Sequence, residues 1–435
     1  MKKSSLSRHQ IFMVIVSMMT VVLSALQLQA QDACSSFGWA NYDGQSEKGP
    51  VTGGGNATAV EVTTFSALKS AVESSNAAVI HVMNDMGNGY RGKSGDVLNF
   101  KSNKTVIGMK PGITIKCSFQ IKNVNNIVIR NVIVRGPGNS NSEQNWDAVC
   151  IQGSNRIWFD HCTVMEGEDG NFDVVKGSDN VTASWCKFTY VTGGDHNLSN
   201  LIGSSDDESI SHGKLNVTYA YCWWDNVNSR CPRTRYGKIH VLNCYYNNVG
   251  DAAFSGFMSN MRVEGCYFEG NVKNPTGLIS SGGQSGVFAI ECNRGETKRD
   301  GYNTVFTPPY KYEKYAASEV KSKVTNAQGG AGPTLSNPTD CGVVAAAARA
   351  PGGVILPVPS LLTDKIQVTL DMKRGDAVRM SLLGLNGCRI AEVGDVCPVT
   401  GRTVLTFNGK NVPPGAYIFR IGTGTGQVLQ RIIRR

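Results

Sequence analysis

The chain has 435 residues, of which 41% are hydrophobic and 18% charged, with 49 glycines and a formal net charge of +9. So much apolar material excludes a disordered chain, the glycine content excludes a coiled coil, and the length allows two domains. A moderate basic excess favours encounter with polyanions but does not separate an acidic polysaccharide from nucleic acid or an anionic surface.

At the N-terminus Lys2, Lys3 and Arg8 precede an uncharged run over residues 11–28, and Gln29-Ala30 offers a small residue for cleavage. Residues 1–30 therefore read as a signal peptide, with an uncleaved anchor as the alternative for so long an apolar run. No later segment is apolar for long enough to span a bilayer, so a soluble, secreted protein is expected. All 13 cysteines follow the signal, and the odd count leaves at least one of them unpaired.

Phe65, Leu68 and Val72 fall at helical spacing within residues 64–75, which predicts a short helix able to cap one end of the fold. The following runs read as strands: Lys104-Thr105-Val106-Ile107-Gly108, Asn126-Ile127-Val128-Ile129 and Arg156-Ile157-Trp158-Phe159. Asp147 stands 22 residues before Asp169, and Asp169 four before Asp173. On one continuous strand the last two would share a face, and Asp147 would lie about one coil away. Three converging carboxylates suit Ca²⁺, although aspartates in glycine-rich sequence are more often turn residues. Asp160 and His161 resemble a dyad. Adjacent on a strand, however, they should point to opposite sides, which favours structural roles.

A repeat then dominates. Cys222, Cys244 and Cys266 are 22 residues apart, Cys162 and Cys186 are 24 apart, and aromatic residues follow Cys222, Cys244 and Cys266. Asn180, Asn216 and Asn260 each stand six residues before a cysteine. A period in the twenties with strand-like alternation predicts a solenoid of β coils, with all-β architecture. Stacked coils would let asparagines hydrogen-bond up the stack, aromatic rings lie over one another, and Cys222, Cys244 and Cys266 form a ladder of buried thiols. Disulfides between coils are the alternative. The 36 residues from Cys186 to Cys222 exceed one turn, so loops should emerge there. Arg230, Arg233 and Arg235 follow in one phrase; the last two would share a face, and their guanidinium forks suit carboxylates. A solvated basic edge is the plainer reading of those arginines.

Beyond Cys292 the repeat fades. Residues 345–353 read as a linker, and the alternating runs beginning at Lys365, Val378 and Tyr417 predict a small β-sandwich over residues 354–435. Cys388 and Cys397 could pair across one of its loops.

The ordered phrases resemble those of the pectate lyases of polysaccharide lyase family 1. They are Val51-Thr52-Gly53-Gly54-Gly55, Val62-Thr63-Thr64-Phe65, Ser102-Asn103-Lys104-Thr105-Val106-Ile107-Gly108, Ile157-Trp158-Phe159-Asp160-His161, Asp169-Gly170-Asn171-Phe172-Asp173, Gly203-Ser204-Ser205-Asp206 and Arg230-Cys231-Pro232-Arg233-Thr234-Arg235. The resemblance implies a right-handed parallel β-helix over residues 31–344, calcium held by Asp147, Asp169 and Asp173, a catalytic Arg230 and a substrate-carboxylate Arg235. The implied activity is β-elimination on polygalacturonate by a monomer, giving 4,5-unsaturated products, with no nucleic-acid partner. Arg233 and His196 are further candidates for binding substrate. Where the family often reads His-Asp-Lys, this chain has His196-Asn197-Leu198, and a substrate-binding cation is gone. The C-terminal part resembles sorting domains of the type IX secretion route, which implies an interaction with secretion machinery and allows attachment to the cell surface. The rival readings are a calcium-independent pectin lyase and a non-catalytic polysaccharide-binding β-helix.

Overall fold

The computed structural model describes residues 35–88, 97–138, 146–281, 284–285, 287–291, 305–339, 353–355, 365–384, 389–408, 412–423 and 426–434. The expected signal peptide, most of the linker and the Cys388–Cys397 pairing lie outside them. The described residues fall into two compact units, one within Cys34–Cys341 and the other within Gly342–Arg435. Among them no helix is long and apolar enough to cross a membrane.

The larger unit is a parallel β-solenoid. Each coil contributes one strand to each of three parallel sheets, of ten, seven and eight strands. One coil, for example, runs through Asn155–Asp160, Thr163–Met165 and Phe172–Val175, and the next through Asp179–Ser184, Lys187–Thr189 and Leu201–Ile202. In-register stacking places Ile129, Phe159, Ala183, Tyr219, Val241 and Val263 in one interior row, every one of them fully buried. β-Branched and aromatic residues fill such a row well because stacked side chains repeat at the strand spacing of about 4.8 Å.

One corner explains the cysteine repeat. Immediately after the strands of the ten-stranded sheet, Asn131, His161, Trp185, Tyr221 and Asn243 adopt φ between 48° and 58°, and Gly265 continues the series at 62°. A left-handed residue bends the chain sharply and turns the next side chain inward. In successive coils that inward residue is Val132, Cys162, Cys186, Cys222, Cys244 and Cys266, all of them fully buried. The five cysteines are free thiols. Each donates to a backbone carbonyl, such as Cys222 Sγ to Ala183 O at 3.4 Å. Rings stack as expected on the inside (Trp224 on Tyr246 at 4.9 Å and Tyr246 on Phe268 at 4.6 Å) and on the outside (Trp185 on Tyr221 at 4.7 Å).

The same corner corrects the reading of Asp160 and His161. The left-handed backbone at His161 turns its ring back, so that Nδ1 meets Asp160 Oδ2 at 2.8 Å and does not face away. Asp160 also takes Arg130 Nη1 at 2.6 Å and the Ser184 hydroxyl at 2.7 Å. The cluster is buried and structural. The asparagine expectation is corrected as well. Asn180 turns out to bond Gly44, Asn216 donates to Asp179, and Asn260 accepts from Phe306 N, so the three form no ladder. Asparagine pairs between coils occur at other positions, where Asn126 donates to Asn103 at 2.8 Å and Asn248 to Asn226 at 2.9 Å.

The predicted helix, α1 (Phe65–Glu73), is capped by the Thr64 hydroxyl, which accepts from Ala67 N at 3.3 Å. Its Leu68 and Val72 are buried in the solenoid core at the end nearest the first strands. In the smaller unit the strands Gly353–Ile355, Lys365–Gly384, Arg389–Asn408, Gly415–Thr423 and Gly426–Arg434 form one antiparallel sheet. The expected sandwich is thus a single sheet among the described residues. Met380 and Leu382 pair with Ile421 and Phe419 and are buried with them, and Ser381 between them is buried as well.

Candidate active site

The candidate residues gather on the outer face of the eight-stranded sheet. Its register aligns Gln120, Cys150, Asp173, Leu201 and Arg233 in one row of successive coils. Because alternate residues point outward, Phe172 and Val174 enter the core while Asp173 between them faces out. The sequence expectation that Asp169 and Asp173 share a strand does not hold, since the strand begins at Phe172 and Asp169 lies in the preceding loop. That loop folds over the coil below: Glu168 N donates to Trp146 O at 2.8 Å, and Ala148 N to Gly170 O at 3.0 Å. Asp147 is thereby brought beneath Asp169 and Gly170.

The three carboxylates repel one another. Burial, with the charges of Asp173 and Asp169, pushes the Asp147 carboxyl well above the usual range, against the Cys150 thiol and Arg230. Burial likewise pushes Asp173 up to about 7, although the Arg230 cation and a hydrogen bond from Leu201 N at 3.1 Å hold it down. Asp147 Oδ1 is buried without a hydrogen-bond partner. A methyl group on Gly170 would fall 2.9 Å from Asp173 Oδ1 and 3.1 Å from Asp147 Oδ1, so glycine keeps open the space between those oxygens. Among the described residues no three acidic, histidine or cysteine side chains close to metal-ligand distance. The set does fit a hard cation in its chemistry: oxygen donors, an orphaned buried oxygen, excess negative charge and a small open space.

Two excursions flank this face, at residues 190–200 and 203–216, which is where the long cysteine interval predicts loops. The first is tied down by Glu166, which accepts from Val191 N at 2.7 Å, and by Asn228 N, which donates to Asn197 O at 2.8 Å. It carries His196, whose Nε2 lies 3.1 Å from Asp169 Oδ1 at the exposed rim. Leu198 pairs with Ser229 in a single parallel bridge, and its carbonyl accepts from the Tyr190 hydroxyl at 2.8 Å.

Arg230 has φ 64° and its carbonyl accepts from Asn200 N at 2.5 Å. Its Nη1 is buried without a hydrogen-bond partner, and its charge acts on both Asp147 and Asp173. Arg233 and Arg235 share a face as expected. They line a cleft of about 220 Å³ with Asp206, Gly256, Phe257 and Ile279. Burial, followed by the cations of Arg235 and Arg230, lowers the pKa of Arg233 from its ordinary value. Sequence reasoning missed Asp206, which takes Arg235 Nε at 2.6 Å, and Asn200, which supports the Arg230 segment. The phrase Gly203-Ser204-Ser205-Asp206 was visible, but nothing in the spacing tied it to a residue 29 positions later.

A sequence model described as pectate lyase matches residues 9–332. The chain belongs to the pectate lyase family. It is a polysaccharide lyase on the strength of that match and of its relatives. It is 31% identical over 312 residues to pectate lyase A of Aspergillus niger, covering 69% of this chain and 88% of that protein. A shorter match, 34% over 152 residues, is to the pectate trisaccharide-lyase of Thermotoga maritima, covering 34% of this chain and 40% of that one. Among solved structures it is similar to a pectate lyase of Paenibacillus sp. 0602 (TM-score 0.58, 16% identity, 71% of this chain and 98% of that one). It is also similar to a pectate lyase of Bacillus sp. N165 in complex with trigalacturonate (TM-score 0.54, 22% identity, 66% and 96%). At those identities the structural likeness speaks for the solenoid alone.

Proposed function

We propose that this pectate lyase family member cleaves polygalacturonate by calcium-dependent β-elimination, with Arg230 as its catalytic residue. The observation that carries the reading is the buried, unpartnered Arg230 Nη1 beside the crowded Asp147 and Asp173. Asp147, Asp169 and Asp173 would hold a calcium ion, which when bound supplies positive charge to a substrate carboxylate.

The bond to be broken is the C4–O glycosidic bond, after loss of the C5 proton. That proton is α to a carboxylate and only weakly acidic. Arg230 meets it from the protein side, and its fixed cation stabilises the negative charge that develops as water or hydroxide takes the proton; the C4 oxygen leaves with its bonding pair and is protonated from water. Arg233 and Arg235 bind carboxylates of neighbouring uronate units through their planar forks. His196, at the rim over Asp169, contacts the chain two residues before Leu198, the position where relatives often carry a lysine. An unsaturated C4–C5 bond remains on the product. The chain is exported by its N-terminal signal, the C-terminal unit serves as a sorting domain, and the enzyme acts as a monomer.

The test is incubation with polygalacturonate, with and without a calcium chelator, reading ultraviolet absorbance of unsaturated uronides. Absorbance that rises and is abolished by chelation supports the reading. Cleavage that persists in chelator points to a pectin lyase, and no cleavage under any calcium concentration points to a binding protein.

A further inference from the structure

The cleft beside the carboxylates has an internal ion pair that the reaction itself does not require. Arg235 Nε donates to Asp206 Oδ1 at 2.6 Å, and Arg235 Nη1 donates to Gly203 O at 3.0 Å. Both side chains are partly exposed, at 16% and 27%, so the pair borders the cleft and is not sealed in the core. Two of the three guanidinium nitrogens are thus engaged by one loop, and Nη2 is left for a ligand. Arg233, in the same cleft, has no ion pair among the described residues.

The loop that presents Asp206 is built to hold still. Glu208, itself buried, accepts from the hydroxyls of Ser204 and Ser211, and Asp207 N donates to Ser205 Oγ at 3.2 Å. The Tyr236 hydroxyl donates to the Asp206 carbonyl, and Arg235 N to Ile202 O at 2.7 Å. Asp206 and the residue it grips are therefore both fixed from behind. Three arginines share this face, and their repulsion favours splaying Arg235 into solvent. A fixed carboxylate opposes that. An unrestrained arginine would also lose side-chain entropy on every binding event, a cost already met here by the fold.

We infer that Asp206 is a positioning residue: it holds Arg235 so that the free end of its guanidinium faces the cleft and reads a uronate carboxylate. This deepens the proposed function and rests on it, but it assigns to this chain a determinant of substrate affinity in a residue that touches no reacting atom. Asp206 acts chiefly through its ion pair with Arg235, so most of its effect on KM disappears when Arg235 is absent.

That dependence is the test, in a double-mutant cycle on polygalacturonate. Asp206→Ala should raise KM about tenfold with kcat within about twofold, the range expected for losing one charge-assisted contact. Asp206→Asn, which keeps an acceptor for Nε, should raise KM only about threefold and serves as the readout should the alanine variant fold poorly. In an Arg235→Ala background either substitution should change KM by less than about twofold. Additive costs in that background, an unchanged KM in the single variants, or a loss carried by kcat would each overturn the assignment. Failure of the parent chain to cleave would instead count against the proposed function, so the two failures are distinguishable.

Discussion

Arg230 and Gly170 mark the two demands of the site at the scale of single residues. Arg230 must place a planar cation where no protein partner neutralises it by hydrogen bonding, and its Nη1 is left buried for that purpose. Lysine keeps the charge but loses the fork and shortens the reach. We predict that Arg230→Lys lowers kcat by at least about a thousandfold, the order expected for removing a group that acts in the transition state, with an unchanged melting temperature. Near-parental turnover would remove Arg230 from the mechanism. Gly170 has the opposite task, that of leaving space. Its backbone is not left-handed, so alanine is conformationally tolerable, yet the added methyl would sit about 3 Å from both Asp147 Oδ1 and Asp173 Oδ1. We predict that Gly170→Ala weakens calcium binding by at least about tenfold, measured by calorimetry on the substrate-free protein, while leaving the fold intact. Asp173→Asn should weaken it more, since it removes a charged ligand as well as crowding none. Unaltered calcium binding in both variants would place the metal elsewhere.

Elements carry the site because the coil repeats. The left-handed corner, the inward thiol and the stacked ring recur in register, and each new coil inherits the geometry of the last. Trp224 shows how the repeat reaches the chemistry. It is stacked between Phe188 and Tyr246, and its indole N–H donates to Asn200 Oδ1 at 2.7 Å. Asn200 in turn donates its backbone N–H to Arg230 O and accepts from Arg233 N at 3.1 Å. Trp224→Phe keeps the stack but removes one of two donors to the buried Asn200 Oδ1, leaving the Ser199 hydroxyl. We predict a loss of about 1–3 kcal/mol in stability and a severalfold fall in kcat, checked by denaturant unfolding and initial rates. A stability loss with no change in kcat would show that Asn200 positions Arg230 without help from the core.

The repeat also decides what the sequence could reveal. Cys222, Cys244 and Cys266 stand at a constant period, so stacking and inward burial follow from counting. The three aspartates and the arginine phrase drew together through the family resemblance rather than through spacing, since Asp169 lies in a loop and not on the strand of Asp173. Asp160 and His161 have the structural role expected of them but do not face opposite sides, because alternation assumes an extended strand and one left-handed residue breaks it. Asn180, Asn216 and Asn260 share a register position, but the segments laid over the sheet claim two of their side chains, through Gly44 and Phe306. Such partners are 136 and 46 residues away and leave no periodic trace. The clamp of Asp206 on Arg235 is hidden for the same reason.

For the molecule as a whole, coils gain stability from their neighbours, so a single buried link between coils can govern how the solenoid answers acid. Asp160 joins Arg130 of the preceding coil to Ser184 of the following one. Burial alone would push its carboxyl up, but His161 and Arg130 outweigh burial and bring it down to about 2. A carboxyl whose folded pKa lies below its unfolded value of about 3.9 contributes stability above that value and loses it as pH falls through the folded pKa. The contribution should therefore be complete near pH 5, mostly lost by pH 2 and gone near pH 1, and its size is on the order of 2 kcal/mol. In Asp160→Asn that titration is absent and Arg130 is left as a buried cation without its carboxylate. We predict that the variant melts at a lower temperature than the parent at pH 6, and that the gap narrows steadily between pH 4 and pH 2 as the parent loses the same interaction. Calorimetric melting over that range, at constant ionic strength, reads both curves. A gap that stays constant down to pH 2 would mean that Asp160 supports the solenoid through shape alone, and that the acid response is set by other carboxyls.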